Sequence, residues 1–320
     1  MKDPALSYLC DHTGTTFNQV FGLVHVYETP SGNRAQVQNG RYVVDIPTEL
    51  PPMTLDVAKL KAIWTACPDT PRVSTASSFA TISSGRIRGR IALADPGAYP
   101  RATPDPESGA TATGVAAMLG TVKRYIATDA SRVWATGVCL ANGFAYATNN
   151  VVLLRYAILT DILAGTIIPV NSIDAIVAKG EPVTIGSSEN AVTFYFEDGS
   201  WTRTQVVAAE WPTATVDHLI EATPGDGWEA IGPTLAEDMA TAGDLSEERF
   251  AIAEFSPTGF HLVDGSFTVE CGGVPDNGRV NARMAALALG GMTDVQWHCP
   301  RKDVHAFRGP NIQGVFGGTR

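Results

Sequence analysis

The sequence has 320 residues, of which 44 % are hydrophobic and 18 % charged. This composition supplies enough apolar side chains for a packed interior and is not typical of a disordered chain. With 33 acidic and 23 basic residues its net charge is −10, which excludes a globally basic nucleic-acid binder but not a local basic surface. Five widely spaced cysteines without CxxC spacing exclude a disulfide scaffold or zinc ribbon and favour free thiols in a cytoplasmic protein. Charged residues and a proline interrupt the most apolar stretch, 151–170, so we expect no membrane span and no membrane partner.

The predicted elements follow the same order three times along the chain. The first unit has a helix at 5–9, strands within 20–27, a helix at 55–67 and strands at 79–82 and 86–93. The second has a helix at 113–127, strands within 134–148, a helix at 172–179 and strands at 191–196 and 201–208. The third, which is the weakest copy, has a helix at 235–240, strands within 250–269, a helix at 278–292 and strands at 295–298 and 314–316.

This repetition predicts the architecture. Residues 60–100 and 173–212 correspond at an offset of about 112 residues, and both end in an aromatic-Pro pair. Turn dipeptides at Asn39-Gly40, Asn142-Gly143 and Asp264-Gly265 predict hairpins, so the strands should be antiparallel. We therefore expect an α+β fold of three domains, 1–105, 106–223 and 224–320, each with sheets and two helices; one large domain is the alternative.

Four predicted helices are biased towards positive charge. They contain seven basic and two acidic residues, which leaves 16 basic and 31 acidic residues elsewhere; the basic ones are Lys59, Lys61, Lys123, Arg124, Lys179, Arg279 and Arg283. Helix faces of this kind favour contact with phosphates. The alternative is that cations near helix C-termini stabilise the helix dipole, which suits Lys123, Arg124 and Lys179 but not Arg279.

No pattern typical of catalysis or metal binding is present. The sequence has no GxSxG, P-loop, HExxH or EF-hand motif, and His298, Cys299 and His305 form only a weak metal-like cluster. We therefore expect neither an enzyme nor a cofactor, and a hydrolase or sugar-binding protein is a third alternative that no motif supports. Arg86, Arg88 and Arg90 should share one face of a strand, as an exposed surface, a subunit contact or a DNA contact.

Residues 138–153 (VCLANGFAYATNNVVL) resemble a segment of the β sliding clamp of bacterial DNA polymerase III, the replicative processivity factor. The match is to a strand, a turn and the family pattern Ala-Thr-Asp-Gly-His-Arg-Leu, and Ile168-Pro169 and Trp211-Pro212 follow in family order. The resemblance implies three similar domains per chain and two chains closed into a ring around duplex DNA, with helices lining the hole. The seven basic residues would then face the DNA.

The resemblance also implies partners and a binding site for them. A DNA polymerase and a clamp loader would dock short peptides into a hydrophobic groove between the second and third domains. By position, the groove would be formed by Thr148, Asn149, Asn150, Val151, Leu153, Val216, Val315 and Phe316.

The sequence departs from the family pattern at the groove. Asn149-Asn150 replaces Asp-Gly, Val151-Val152 replaces His-Arg, and the chain ends in Gly-Gly-Thr-Arg. A divergent member, such as one encoded by a phage, fits these differences. They also motivate the alternative that the protein has the clamp fold and binds replication partners without encircling DNA.

Overall fold

The computed structural model describes residues 4–14, 19–111, 113–129, 131–158, 165–223, 226–271, 274, 278–301 and 304–317. Its helices are α1 (Pro4–Asp11), α2 (Val57–Ala66), α3 (Val115–Val122), α4 (Val170–Lys179), α5 (Thr213–Glu221), α6 (Leu235–Leu245) and α7 (Ala282–Leu289). Among the described residues, no helix combines the length and the apolar character needed to cross a membrane.

The strands fall into three series along the chain. The first is β1 (Leu23–Thr29), β2 (Gly32–Gln38), β3 (Tyr42–Pro47), β4 (Met53–Asp56), β5 (Arg72–Thr75), β6 (Phe79–Ser84) and β7 (Ile87–Ala92). The second is β8 (Glu107–Thr111), β9 (Gly137–Ala141), β10 (Phe144–Thr148), β11 (Val152–Ala157), β12 (Thr166–Pro169), β13 (Thr184–Ser188), β14 (Ala191–Tyr195) and β15 (Trp201–Gln205). The third is β16 (Glu229–Ala230), β17 (Ile252–Ser256), β18 (Gly259–Leu262), β19 (Thr268–Glu270), β20 (Arg279–Asn281), β21 (Gln296–Arg301), β22 (Val304–Arg308) and β23 (Ile312–Gly317).

Every series has the same core pattern: a helix, four strands, a second helix and three strands. In the second and third series an extra strand, β8 or β16, precedes the first helix, and α5 lies between these two series. The predicted repetition of elements is therefore present in the structure. The proposed domain boundaries stay predictions.

By contacts the chain forms two compact units. Unit 1 comprises residues 1–117 and 171–206, and unit 2 comprises residues 118–170 and 207–320. Unit 1 contains an eight-stranded antiparallel sheet in the order β4-β1-β2-β3-β15-β14-β13-β8 and a three-stranded sheet, β5-β6-β7. Unit 2 contains an eight-stranded sheet in the order β12-β9-β10-β11-β23-β22-β21-β16 and a four-stranded sheet, β19-β18-β17-β20.

Each unit has an apolar interior that holds its helices against its sheets. In unit 1, Leu9, Leu60 and Trp64 pack on the strands of the first series, and the Tyr8 hydroxyl donates to the Ala175 carbonyl at 2.7 Å. In unit 2, the Tyr125 hydroxyl donates to the Ala288 carbonyl at 3.0 Å, and burial raises the pKa of that phenol to about 12. These contacts of buried side chains therefore fix the positions of the helices.

The helices predicted from sequence are present with shorter bounds. Asp56 ends β4 and accepts from the Lys59 amide, so it caps α2 instead of lying within it. The third-series helix begins at Ala282 because Asn281 caps it, accepting from the amides of Arg283 and Met284. Arg279 therefore lies in β20 and not in a helix, which corrects its predicted place.

Candidate partner cleft and cationic residues

The turn between β10 and β11 keeps its shape through side-chain hydrogen bonds. The Asn149 side-chain oxygen accepts from the amides of Val151 and Val152 at 3.1 and 2.8 Å, and the Thr148 hydroxyl donates to the Val152 carbonyl at 2.8 Å. Asn150 adopts a φ of 71°, the left-handed region that glycine and, less readily, asparagine tolerate. Asn149 and Asn150 thus form a closed turn at the two positions where the family pattern has Asp-Gly.

Cross-strand pairing brings several residues of the predicted groove together. Thr148 lies opposite Leu153, and Leu153 lies opposite Val315, so the three side chains point to the same face of the sheet. Leu153 packs against the cluster that contains buried Val216 from α5 and Trp211. The structure therefore places Thr148, Leu153, Val216 and Val315 around one side of the sheet in unit 2.

Three other predicted groove residues lie differently. Phe316 faces the opposite side of the sheet, because it pairs with buried Val152 and its ring contacts Trp297 and His305 with 5.2 Å between ring centroids. It is only 2 % exposed and does not lie on the face that carries Leu153 and Val315. Asn150 and Val151, by contrast, are exposed at the tip of the turn.

Sequence reasoning missed the polar centre of this face, Arg155. Its guanidinium donates to Asp217 at 2.8 Å, to Glu221 at 3.2 Å and to the Gln313 side chain at 3.1 Å, and it lies 4.6 Å from the centre of the Phe144 ring. Burial opposes its charge, but its hydrogen bonds to the two carboxylates raise the pKa of Arg155. The signal was the spacing of Asp217 and Glu221, one helical turn apart on α5, a helix that was not predicted.

Beside Arg155 lies a cleft of about 160 Å³. Glu221 and Trp228 form one wall, and Arg308 and Gln313 lie on the sheet side. The Arg308 guanidinium lies 4.3 Å from the centre of the Trp228 ring and donates to Gln296 at 2.6 Å. Leu153 and Val315 do not line this cleft but are partly exposed on the same face of the sheet. Apolar surface next to fixed polar groups suits a short peptide with an apolar anchor and a polar flank.

The corresponding face of the sheet in unit 1 is already covered by the chain itself. The Gln36 side chain exchanges two hydrogen bonds with the Ala102 backbone, at 3.0 and 2.8 Å. Farther along, Asp105 accepts from Arg203 at 3.0 and 3.2 Å and from the Thr193 hydroxyl at 2.8 Å. An extended segment is thereby fixed where unit 2 has α5 and the cleft, so the cleft of unit 2 is the better candidate for a partner.

In unit 1, only one of the three predicted DNA-facing lysines lacks an acidic partner among the described residues. Lys61 forms an ion pair with Asp11, and Lys179 forms one with Asp198 while its ammonium lies 5.4 Å from the centre of the Tyr8 ring. Lys59 is exposed on α2.

In unit 2, two of the predicted cations donate hydrogen bonds to carbonyls that follow the C-termini of helices. The Arg283 guanidinium donates to the carbonyls of Ser246, Glu248 and Arg249 at 2.9–3.2 Å, beyond the C-terminus of α6. The Arg124 guanidinium donates to the Gly290 carbonyl beyond α7. These contacts hold the chain that follows each helix, and among the described residues neither guanidinium forms an ion pair with a carboxylate.

The remaining cations of the predicted set are Lys123 and Arg279. Lys123 begins the single 3₁₀ turn that follows α3, where it is partly exposed. Arg279 donates to Glu254 at 2.9 Å, so its charge is compensated on the surface of the four-stranded sheet.

The bias of helices towards positive charge is weaker than predicted. Counted over α1–α7 and the 3₁₀ turn, the described helices hold six basic and seven acidic residues, because α1, α5 and α6 carry only acidic ones. The excess of cations is confined to α2, the end of α3 and α7.

The strand arginines form a basic face on the three-stranded sheet. Arg88 and Arg90 lie in β7 and are exposed on the same face, whereas Arg86 lies in the turn before it. Arg72 in β5 joins them, because Arg72 and Arg88 both lie opposite Ser83 of the middle strand. This third member was not recognisable before the strands were paired.

Among the described residues, no group of three or more His, Cys, Asp or Glu side chains could hold a metal ion. The His298 and His305 rings instead contact the carbonyls of Gly227 and Arg279, at 2.8 and 3.1 Å. All five cysteines are free thiols, as the sequence predicted.

Compared with solved structures, the chain has the fold of the bacterial β sliding clamps over its whole length, which confirms the predicted fold class. It superposes on the Caulobacter crescentus β sliding clamp with a TM-score of 0.81 at 16 % identity, covering 99 % of this chain and 96 % of that one. For the β subunit of the Streptococcus pyogenes DNA polymerase the TM-score is 0.82 at 15 % identity, with the same coverage of both chains.

A third solved relative in fold shows a clamp of this kind with a ligand. The Pseudomonas aeruginosa DNA polymerase III β subunit, crystallised with griselimycin bound, matches with a TM-score of 0.80 at 14 % identity, over 99 % of this chain and 96 % of that chain. No family model matches the sequence, and no curated protein sequence matches it.

Proposed function

We propose that this protein is a DNA sliding clamp: two copies close into a ring around duplex DNA and tether a DNA polymerase for processive replication in the cytoplasm. The proposal depends above all on the clamp fold, which covers 99 % of the chain in the comparisons with solved clamps. In this role the protein needs no catalytic group and no cofactor, because its contribution is topological.

The three-stranded and four-stranded sheets support closure of a ring by a second copy. Each eight-stranded sheet joins two halves through one central pair, β3 with β15 or β11 with β23. The three-stranded and four-stranded sheets are halves of the same kind, whose corresponding edges are β7 and β19. Exposed edges favour strand pairing, so β7 of one copy would pair with β19 of the other, twice in a two-fold ring.

Charge supports the same pairing. β7 presents exposed Arg88 and Arg90, and β19 presents exposed Glu270. Oppositely charged side chains on adjacent strands stabilise pairing and help to set the register.

For the DNA side, we propose a weakly cationic, non-specific surface. Among the described residues, Lys59, Arg124 and Arg283 have no acidic ion-pair partner, so their charges are available to phosphates. Few phosphate contacts are what a sliding ring needs, since each further contact would slow its movement along the duplex.

For the partners, we propose that the polymerase and the clamp loader bind by short peptides in the cleft of unit 2. Leu153 and Val315, which are partly exposed on the same face of the sheet, offer apolar surface beside the cleft, and the Arg155 network offers the polar flank. The turn at Asn149-Asn150 is closed by its own side-chain hydrogen bonds, which supports an ordered site although its sequence differs from the family pattern.

The experiment uses a duplex whose two biotinylated ends are blocked with streptavidin after the protein has been added. Threaded protein should stay on the blocked duplex in a salt concentration that screens phosphate contacts, and it should leave when a restriction enzyme cuts the duplex. The matched control is the same duplex blocked before the protein is added. Equal loss from both duplexes would contradict encirclement.

A second candidate function is binding of replication partners without encircling DNA. It is favoured by the ion pairs of Lys61, Lys179 and Arg279, which remove three of the seven predicted cations from the positive surface. The blocked duplex distinguishes the two: only a protein that encircles DNA should stay on it when salt screens the phosphate contacts, whereas partner binding is expected in both cases.

A further inference from the structure

One strand position that is filled in two repeats is open in the first. In the second series β8 pairs with β13 and leads into α3, and in the third β16 pairs with β21 and leads into α6. The corresponding strand of the first series is β5, and among the described residues nothing pairs with its outer edge. In the part of the chain that the structure describes, the strand position beside β5 is therefore unoccupied.

Hydrogen-bond alternation shows which groups this edge offers. The Ala76 amide donates to the Phe79 carbonyl, so Ser74 and Arg72 also direct their backbone groups towards β6. The amide and carbonyl groups of Val73 and Thr75 then point away from β6. An extended segment could form hydrogen bonds with these two residues, as β8 and β16 do at their own sheets.

A cavity of about 510 Å³ adjoins the edge. Val73 lies at its β5 side, and Leu6, Ile46 and Trp64 contribute apolar walls that are otherwise almost fully buried. Its charged lining residue, Glu49, is exposed to solvent. A strand added to β5 would direct every second side chain towards this cavity, whose lining is mixed and includes the apolar residues named above.

The positive charge on the opposite face of the same sheet indicates which side chains an added strand should carry there. Arg72, Arg88 and Arg90 are exposed there, and the residues between them across the strands are Ser74, Thr81 and Ser83. The side chains of an added strand on this face would lie beside Arg72, where acidic groups are favoured.

We propose that the β5 edge binds an extended segment of a partner protein with alternating apolar and acidic residues, by addition of a strand. The apolar side chains enter the cavity, and the acidic side chains lie beside Arg72. This inference rests on the sheet of unit 1 and stands whether or not the protein encircles DNA.

The test measures fluorescence anisotropy of a labelled heptapeptide of alternating Glu and Val residues with the full chain. We expect binding that weakens about fivefold to tenfold in Arg72→Glu and is unchanged in Arg41→Glu, an exposed charge reversal in a loop of the same unit. The same peptide with Lys in place of Glu should not bind.

Backbone methylation separates strand addition from simple charge attraction. Two peptides are compared, each methylated on every second peptide nitrogen and offset from the other by one residue. One should lose binding and the other keep it, because only one set of amides faces β5. Lack of binding, or equal loss in both peptides, would overturn the proposal. The same peptide is also tested with a variant that lacks residues 1–3. If only that variant binds it, residues 1–3 fill the position in the full chain, which would also overturn the proposal.

Discussion

At the scale of single residues, Arg155 organises the cleft of unit 2. It connects two strands to α5, and Asp217 also accepts from the Tyr146 hydroxyl at 3.0 Å, so one carboxylate serves both side chains. Burial, and then the neighbouring carboxylate, raise the pKa of Tyr146, which keeps the phenol protonated as a donor. The polar flank of the cleft is thus held in place before any partner binds.

Replacing Arg155 with Ala should destabilise unit 2 by about 2 kcal/mol, because Asp217 would remain partly buried without its cation. Chemical denaturation measures this, with the exposed Arg132→Ala as control. If the pair acts as described, adding Asp217→Asn to Arg155→Ala should cost less than the sum of the two single changes. Additive losses would contradict the network.

His305 gives unit 2 a dependence on pH. Burial lowers the pKa of His305, although its bond to the Arg279 carbonyl opposes the shift. The unfolded chain then binds more protons than the folded one below the ordinary imidazole value, so stability is full above about pH 6.5 and falls as the pH drops.

Burial lowers the pKa values of His12 and His25 in the same direction, so the wild-type curve contains several groups. We expect His305→Phe to reduce the slope of unfolding free energy below pH 6.5, by at most about 1.4 kcal/mol per pH unit. The exposed His261→Phe is the control. An unchanged slope in His305→Phe would show that this ring does not contribute.

At the scale of elements, side chains that look like DNA ligands in the sequence also hold helix ends. Arg283 donates to three carbonyls beyond α6, and a Cβ at Gly243 would approach its Cγ to 2.7 Å, so glycine is needed for this contact. Charge alone did not separate this role from DNA binding, because both require a cation on a helix.

Arg283→Met should therefore lower the free energy of unfolding by about 1–2 kcal/mol, since it removes the donor to those carbonyls. Lys59→Met, the matched loss of an exposed charge, should change it by less than about 0.5 kcal/mol and weaken the salt-sensitive binding to DNA instead. Equal stability of the two variants in thermal denaturation would contradict the capping role.

Element order was predictable from local signals, and the site only in part. Periodicity and Asn-Gly or Asp-Gly turns located the hairpins, while helix starts were misjudged where Asp56 and Asn281 act as caps. The two faces of β23 could not be assigned without its register against β11, which puts Val315 on the face of Leu153 and Phe316 on the opposite face. Arg155 was missed because its partners come from α5, far along the chain.

At the scale of the whole molecule, the net charge of −10 and the proposed DNA binding are compatible because the surface charge is uneven. Three exposed arginines lie on one small sheet, and acidic residues predominate on α5 and α6. Such an arrangement disfavours nucleic acid on most of the surface and leaves edges of opposite charge to pair between copies.

Reversing the charge on β7 with Arg88→Glu and Arg90→Glu should convert the dimer to monomer, as measured by analytical ultracentrifugation. Glu270→Arg in β19 should restore part of the dimer when it is combined with the β7 changes, because the pair regains opposite charges. The control is Arg41→Glu, which should stay dimeric. A dimer unaffected by the β7 reversal would place the interface elsewhere.

The most direct measurement is single-particle electron microscopy of the purified protein at micromolar concentration. The account predicts a closed ring of two chains whose hole is about 30 Å wide or more, since B-form DNA with its hydration must pass through. Single chains, open arcs or a closed assembly without such a hole would contradict it.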